Sequence, residues 1–254
     1  MPLKLTENAI RVHLNSALED VIAYNVTDST NTRAREFLKE GKKPPFLLVS
    51  SAQTAGRGRR GNTFFSPENG FYYTLVIRPD DLDTAIQKMT VAAAVASCEA
   101  ISETAGIECD IKWVNDLYLD GRKVAGILCE APRIHSNEVT AIIIGIGINI
   151  DIQDFPDELQ NTAGSLNRPD LDRNILAAVL TDRLLAWTSR LDDPQLIREY
   201  RRRSFLIKRP VSFMHEGREI RGIAKDINEE GNLIVQADRT YVLSSGEVSL
   251  ASWE

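Results

Sequence analysis

The stretch Phe46–Ile77, FLLVSSAQTAGRGRRGNTFFSPENGFYYTLVI, places two apolar runs on either side of a loop in which three arginines alternate with three glycines. Phe46 to Val49 and Phe71 to Ile77 read as strands, so the loop from Ser50 to Pro67 is held at both ends by core elements. Glycines at 56, 58 and 61 let the backbone approach a ligand closely while the guanidinium forks of Arg57, Arg59 and Arg60 converge on it. That is anion-binding chemistry. An isolated R-G-R-R is more often a solvated turn, but the buried anchors and the aromatic pair Phe64–Phe65 favour a site.

Working outward, 254 residues with 43% hydrophobic content suffice for one good core plus a small appended domain. The net charge of −6 argues against generic nucleic-acid binding, which rests on a basic excess. Cys98, Cys109 and Cys129 form no C-x-x-C pair, and His13, His135 and His215 lack metal-ligand spacing. No apolar run approaches the ~20 residues of a membrane span, and the N-terminus shows no signal segment. These features lead to the expectation of a cytoplasmic protein with free thiols and no membrane association.

Upstream, Thr6–Leu18 reads as a short amphipathic helix and Val21–Val26 as a strand running into Asp28-Ser29-Thr30-Asn31, natural cap residues for a helix over Thr32–Lys39. The same four side chains also suit a neutral polar ligand. Downstream, Asp80–Thr104 reads as a helix capped by Asp83 or Thr84, and Glu108–Val114 as a strand carrying Lys112. Asn115-Asp116 turns it into Leu117–Leu119, and Asp120-Gly121 leads to a strand through Lys123, Gly126 and Glu130. Val139–Ile152 is a buried strand whose Gly145 and Gly147 clear one face for a flat ligand or a neighbouring backbone. Helices follow at Asp172–Leu191, with an apolar stripe that reads as core, and at Pro194–Phe205. Neither the dinucleotide fingerprint nor the P-loop pattern occurs. From Pro210 the chain becomes short strands with regular turns, a β-rich module that puts a domain boundary near Lys208.

Six motifs in this order resemble the biotin-protein ligases, an adenylate-forming family related to lipoate ligases: D-S-T-N at 28–31, G-R-G-R-R-G at 56–61, F-F-S-P at 64–67, K-W-V-N-D at 112–116, G-R-K-V-A-G-I-L at 121–128 and G-I-G-I-N at 145–149. Val114 stands where the family usually has proline, and Asn62 where a basic residue is common. The resemblance implies an α+β fold: a class II synthetase-like catalytic domain over residues 1–207, with a mixed, largely antiparallel sheet and flanking helices, and an SH3-like barrel over 208–254. It further implies ATP and biotin as substrates, Mg²⁺, and a biotin carboxyl carrier domain as acceptor. With 27 residues before Asp28, the expectation is a monofunctional ligase without direct DNA binding; a homodimer stays open.

By the same resemblance, Arg57, Arg59, Lys112 and Lys123 carry catalysis. Biotin falls to Ser29, Thr30, Asn31, Gln53, Gly56, Arg57, Lys123, Gly126 and Gly145. Adenylate falls to Arg57, Arg59, Arg60, Phe64, Lys112, Asn115, Lys123 and Asn149, and a metal to Asp116. Gly126 and Gly145 would leave space for the bicyclic ring and the adenylate. The segment Asp154–Leu166 offers an adenine face no aromatic except Phe155. Two competitors are a lipoate or octanoate ligase and, from another class, an RNA-binding module built on R-G-R-R and Phe64–Phe65.

Overall fold

The computed structural model describes residues 4–18, 20–79, 85–133, 141–246 and 248–251. Helix α1 (Glu7–His13) leads to strand β1 (Val21–Thr27), helix α2 (Thr30–Lys39) and strand β2 (Phe46–Gln53). The arginine–glycine loop follows, with a 3₁₀ turn at Arg59–Gly61, then β3 (Gly70–Ile77) and the long helix α3 (Ala85–Ala105). A meander of β4 (Asp110–Lys112), β5 (Asp116–Leu119), β6 (Arg122–Glu130) and β7 (Ile142–Asn149) precedes helices α4 (Arg173–Thr188) and α5 (Pro194–Arg202). Strands β8 (Pro210–His215), β9 (Arg218–Ile227), β10 (Leu233–Gln236), β11 (Thr240–Leu243) and β12 (Val248–Leu250) complete the order.

Strands β1 to β7 form one sheet in the order β1-β2-β3-β7-β6-β5-β4. The β1–β2 pair is parallel, as its α2 crossover demands, and the remaining neighbours are antiparallel. This is the mixed, largely antiparallel sheet that the sequence predicts, and the chain from β8 onward makes a separate five-stranded antiparallel sheet. The two faces of the large sheet bury different things. Leu47 and Val49 of β2 and Phe71, Tyr73 and Leu75 of β3 join the core under α3 and α4, whereas Phe46, Leu48 and Val76 pack with Ala34 and Leu38 of α2. Period-two alternation thus yields two cores of unequal size.

Some sequence-predicted bounds shift. The first helix stops at His13 because the Asp182 carboxylate accepts the backbone N–H groups of Asn15 and Ser16, both at 2.9 Å, that a longer helix would have used. Ser29 caps α2 by accepting from Thr32 N–H, so Thr30 and Asn31 lie inside its first turn. The caps proposed at Asp83 and Thr84, and His135, lie outside the described residues.

Two features fix the ends of the meander. Backbone bonds of 2.8 Å from Ile111 N–H to Arg203 O and from Phe205 N–H to Ile111 O lay the segment after α5 along the free side of β4. The turn between β9 and β10 docks on the large-sheet layer through Trp113 Nε1–H to Gly231 O (2.9 Å) and Gln87 Nε2–H to Asn232 Oδ1 (2.7 Å).

Candidate active site

The site lies on the α2 face of the large sheet, where strand β7 stops presenting bulk. Ile142, Ile144, Ile146 and Ile148 point into the α3–α4 core, so Ile143, Gly145, Gly147 and Asn149 face the other way. Across neighbouring strands Gly145 sits between Thr74 and Leu128, and Gly147 between Tyr72 and Gly126, whose next partner is Asp116. The result is a floor of three glycines under the arginine loop.

That floor is used differently from the sequence-based expectation. A Cβ on Gly145 would lie 2.2 Å from Asn31 Oδ1, and Cβ atoms on Gly147 and Gly126 would lie 2.5 and 2.9 Å from the Phe64 ring. The room that was assigned to ligand is filled by the Asn31 amide and the Phe64 ring, leaving a cavity of about 60 Å³. Functional ligand pockets run to several hundred Å³, and the Phe64 ring over the glycines is what narrows this one. Gly56 lines no part of this cavity; a Cβ there would meet Ser66 Oγ at 2.2 Å and Phe64 O at 2.4 Å, so it is a packing glycine where the loop closes.

At the α2 end the polar side chains are densely paired. Asp28 accepts from the Thr27 hydroxyl, Ser29 N–H and the Arg33 guanidinium, holding the entry to α2. Burial works against ionisation of this carboxyl, but those three donors outweigh it and its pKa lies below the usual carboxylate value. Thr30 N–H donates to Gln53 Oε1 (2.8 Å), and Gln53 Nε2–H donates to Ser66 Oγ (3.1 Å), which in turn donates to Phe64 O (2.8 Å). Ser29, Thr30, Asn31 and Thr74 are all buried.

The cationic end is sparser. Arg57 makes a bidentate pair with Glu130 (3.0 and 3.1 Å), and Arg59 donates to Asn115 Oδ1 (3.0 Å). Arg60 is exposed in a left-handed conformation, φ 56°. Lys123 Nζ lies 2.7 Å from Asp116 Oδ1, and Lys112 Nζ rests 5.3 Å from the centroid of the Tyr118 ring. Arg59, Arg60, Lys112, Asp116 and Lys123 open on a second cavity of about 620 Å³, whose far wall is Val248 and Ser249 of β12. A third, about 140 Å³, is lined by Phe65, Tyr118, Phe155 and Asn149. The Phe65 and Phe155 ring centroids are 6.1 Å apart. Asn149 Nδ2–H donates to Gly164 O, while its buried Oδ1 has no hydrogen-bond partner.

Ser29, Thr30, Asn31, Gln53, Arg57, Arg59, Phe64, Asn115, Lys123, Gly126 and Gly145 therefore share one cavity, with Arg60, Lys112 and Asp116 next door and Asn149 in the aromatic slot. Sequence reasoning missed Tyr72, Thr74 and Glu130, which reach the site by sheet register; alternation along β3 was the available signal for the first two, and none marked Glu130 on β6. Cys129 sits on β6 close by, but burial pushes its thiol up to about 12, which removes it as a nucleophile. Among the described residues no group of three or more His, Cys, Asp or Glu side chains could hold a metal ion.

Sheet, glycine floor and loop have the arrangement expected of the ligases that the sequence motifs resemble. Residues 23–149 match the family model described as the biotin/lipoate A/B protein ligase family, and residues 207–251 match the biotin protein ligase C-terminal domain; the chain belongs to this family. It is 39% identical over 197 residues to the bifunctional ligase/repressor BirA of Bacillus subtilis, covering 76% of this chain and 60% of that protein. Thus the chain spans about three fifths of that relative's length. It is 30% identical over 217 residues to the biotin–[acetyl-CoA-carboxylase] ligase of Mycobacterium tuberculosis, covering 80% of this chain and 77% of that one. The biotin protein ligase of Aquifex aeolicus, solved in complex with biotin and ATP, superposes with a TM-score of 0.78 at 26% identity over 92% of this chain and 99% of its own. Among the described residues no helix is long and apolar enough to cross a membrane.

Proposed function

We propose that this chain is an ATP-dependent biotin-protein ligase. The observation that carries the reading is the sharing of one sheet face by a neutral polar pocket, a strip of cations and an aromatic slot closed by a buried unpartnered acceptor. A neutral urea, a carboxylate meeting a phosphate, and an adenine each find matching chemistry in that order. Ser29 already accepts from Thr32 N–H and keeps its proton for a ureido carbonyl, while the Thr30 and Gln53 side chains lie beside it. The exocyclic amino group of adenine is the natural donor to Asn149 Oδ1, with one face of the base against the tilted Phe65–Phe155 pair.

In the first step a biotin carboxylate oxygen attacks the α-phosphorus of ATP, forming the mixed anhydride as the bond to pyrophosphate breaks. Arg57, Arg59, Lys112 and Lys123 offset the repulsion between the two anions where charge accumulates. Mg²⁺, held on the Asp116 side, would supply further neutralisation of the phosphates. In the second step the amine of a carrier-domain lysine attacks the anhydride carbonyl and AMP leaves. Three free cysteines fit a reducing, cytoplasmic setting. The polar wiring beside Ser29 disfavours a lipoate ligase, whose acyl chain calls for a plain apolar tunnel.

Thermal unfolding with biotin, lipoate or single-stranded RNA separates the three readings, because only a ligand of the native state raises stability. Biotin alone should raise the midpoint and should be required for ATP–pyrophosphate exchange. Stabilisation by lipoate with no response to biotin would overturn the proposal.

A further inference from the structure

Glu130, at the end of β6, belongs to none of the motifs that mark the site, yet four hydrogen bonds or ion pairs converge on its carboxylate. Arg57 grips it through two nitrogens, Arg35 Nη2 reaches it at 2.8 Å, and Asn31 Nδ2–H donates to it at 3.0 Å. Only 15% of its side chain is exposed. Resting on the ligase reading, we infer that Glu130 is a positioning residue: it fixes which pocket atoms donate and which accept, and so makes the pocket select a cyclic urea.

Proton positions in this network are fixed by which atoms can only accept. An ionised carboxylate only accepts, and the second acceptor near Asn31 Nδ2, Leu128 O at 3.5 Å, also only accepts. The Asn31 amide therefore has one orientation, since a flip would set its oxygen against two others. Its Oδ1 then faces Thr74 Oγ1 at 2.7 Å. Thr74 Oγ1 is also 2.7 Å from Thr30 Oγ1, but it carries one proton, and the amide oxygen has none to offer. Thr74 donates to Asn31, and the contact with Thr30 runs from Thr30 to Thr74. The Thr30 proton is then committed to Thr74 rather than to Gln53 Oε1, 3.1 Å away, which already accepts from Thr30 N–H, and the Thr30 oxygen is left with a lone pair for a ligand donor. With the spare Ser29 proton, the pocket offers one donor beside acceptors, the complement of a carbonyl flanked by N–H groups.

The same carboxylate holds Arg57 at the start of the loop, so the pocket's polarity and its closure share one anchor. Glu130→Gln keeps the shape but can donate to Asn31, which frees that amide to flip, and it removes the charge that holds Arg57.

The test uses the full chain and two ligands, biotin and its cyclic carbamate analogue, in which one ring N–H is replaced by oxygen. In Glu130→Gln the KM for biotin should rise about tenfold or more, and selectivity for the urea over the carbamate should fall at least about tenfold. The swap Glu130→Gln with Asn31→Asp puts the obligate acceptor on position 31, where the amide introduced at position 130 can donate to it. It should recover the selectivity, and it keeps one carboxylate and one amide in the network if the single variant folds poorly. If the wild type responds to biotin but both variants match its selectivity, or the swap folds without recovering it, the inference is overturned. If the wild type itself shows neither stabilisation nor exchange with biotin, the ligase reading fails instead.

Discussion

The two ends of the site differ in how completely their polar groups are matched. Around the N-terminus of α2, Thr30, Asn31, Gln53 and Thr74 are joined in one hydrogen-bonded chain, and Asp28 holds Ser29 N–H beside it. Around the loop and the aromatic slot, Arg59 has one bond to Asn115, Arg60 is exposed, Lys112 rests on a ring, and Asn149 Oδ1 is buried without a partner. A matched, buried network is costly to rearrange and therefore discriminates between ligands. Cations held by few, partly exposed contacts near a loop can move to where charge develops and so act on rate and retention. Substitutions at the first end should alter which ligand binds, and substitutions at the second should alter what happens to it.

Lys123→Gln tests this division most severely. The Lys123–Asp116 pair is partly exposed, so losing it should cost about 1 kcal/mol of stability or less. Pyrophosphate exchange should fall about a hundredfold to a thousandfold, the usual effect of removing one preorganised charge-stabilising group. The division breaks if the KM for biotin rises instead while kcat holds.

Arg59→Gly should act on retention. Charge-assisted bonds to phosphate are worth roughly 1.5–3 kcal/mol each, so the adenylate should leave about tenfold to a hundredfold faster and label bystander proteins on exposed lysines. Incubating the variant with biotin, ATP and a protein lacking an acceptor domain, then probing for biotin, measures this directly. Normal adenylate formation without extra labelling would remove Arg59 as a holding contact.

Asn149→Ala sharpens the comparison inside the nucleotide end. The KM for ATP should rise about tenfold, one hydrogen bond's worth, while the thermal shift caused by biotin alone stays unchanged. An equal loss for both ligands would mean that the two ends are one unit.

The smallest effect concerns Asp28. Its folded-state pKa is depressed, so its contribution to stability is present above the ordinary carboxylate value near ~3.9 and is lost as pH falls through the lower, folded value. Solvent screening keeps this under about 1 kcal/mol. Acid unfolding curves of wild type and Asp28→Asn should differ at neutral pH and converge in that acid window; a gap that persists there would assign the residue a purely steric role.

Much of the fold was legible because strands β2, β3 and β7 advertise themselves by apolar runs, and because Ser29, Asp172 and Pro194 mark helix starts by side-chain type. Most candidate side chains were legible too, since arginine beside glycine has few structural uses. Register was not. That Gly126 lies opposite both Gly147 and Asp116 depends on pairings between distant segments, and so does the arrival of Thr74, Tyr72 and Glu130 at the site. Nor could the glycines of β6 and β7 say who would occupy the room above them: they admit a side chain as readily as a ligand, and Asn31 and Phe64 take it. The early end of α1 was hidden for a similar reason, because the competing acceptor, Asp182, is far away in sequence.

The backbone bonds that lay the segment after α5 along β4 have a consequence for synthesis on the ribosome. Strand β4 is complete once Lys112 has emerged, but its free side is covered only when Arg203 to Phe205 follow, about ninety residues later. At translation speeds of roughly 5–20 residues per second, the nascent chain carries a bare sheet edge for about 5–20 seconds. Over that interval the edge is open to pairing with another extended chain, so the co-translational solubility of this protein depends on residues that contribute nothing to its chemistry.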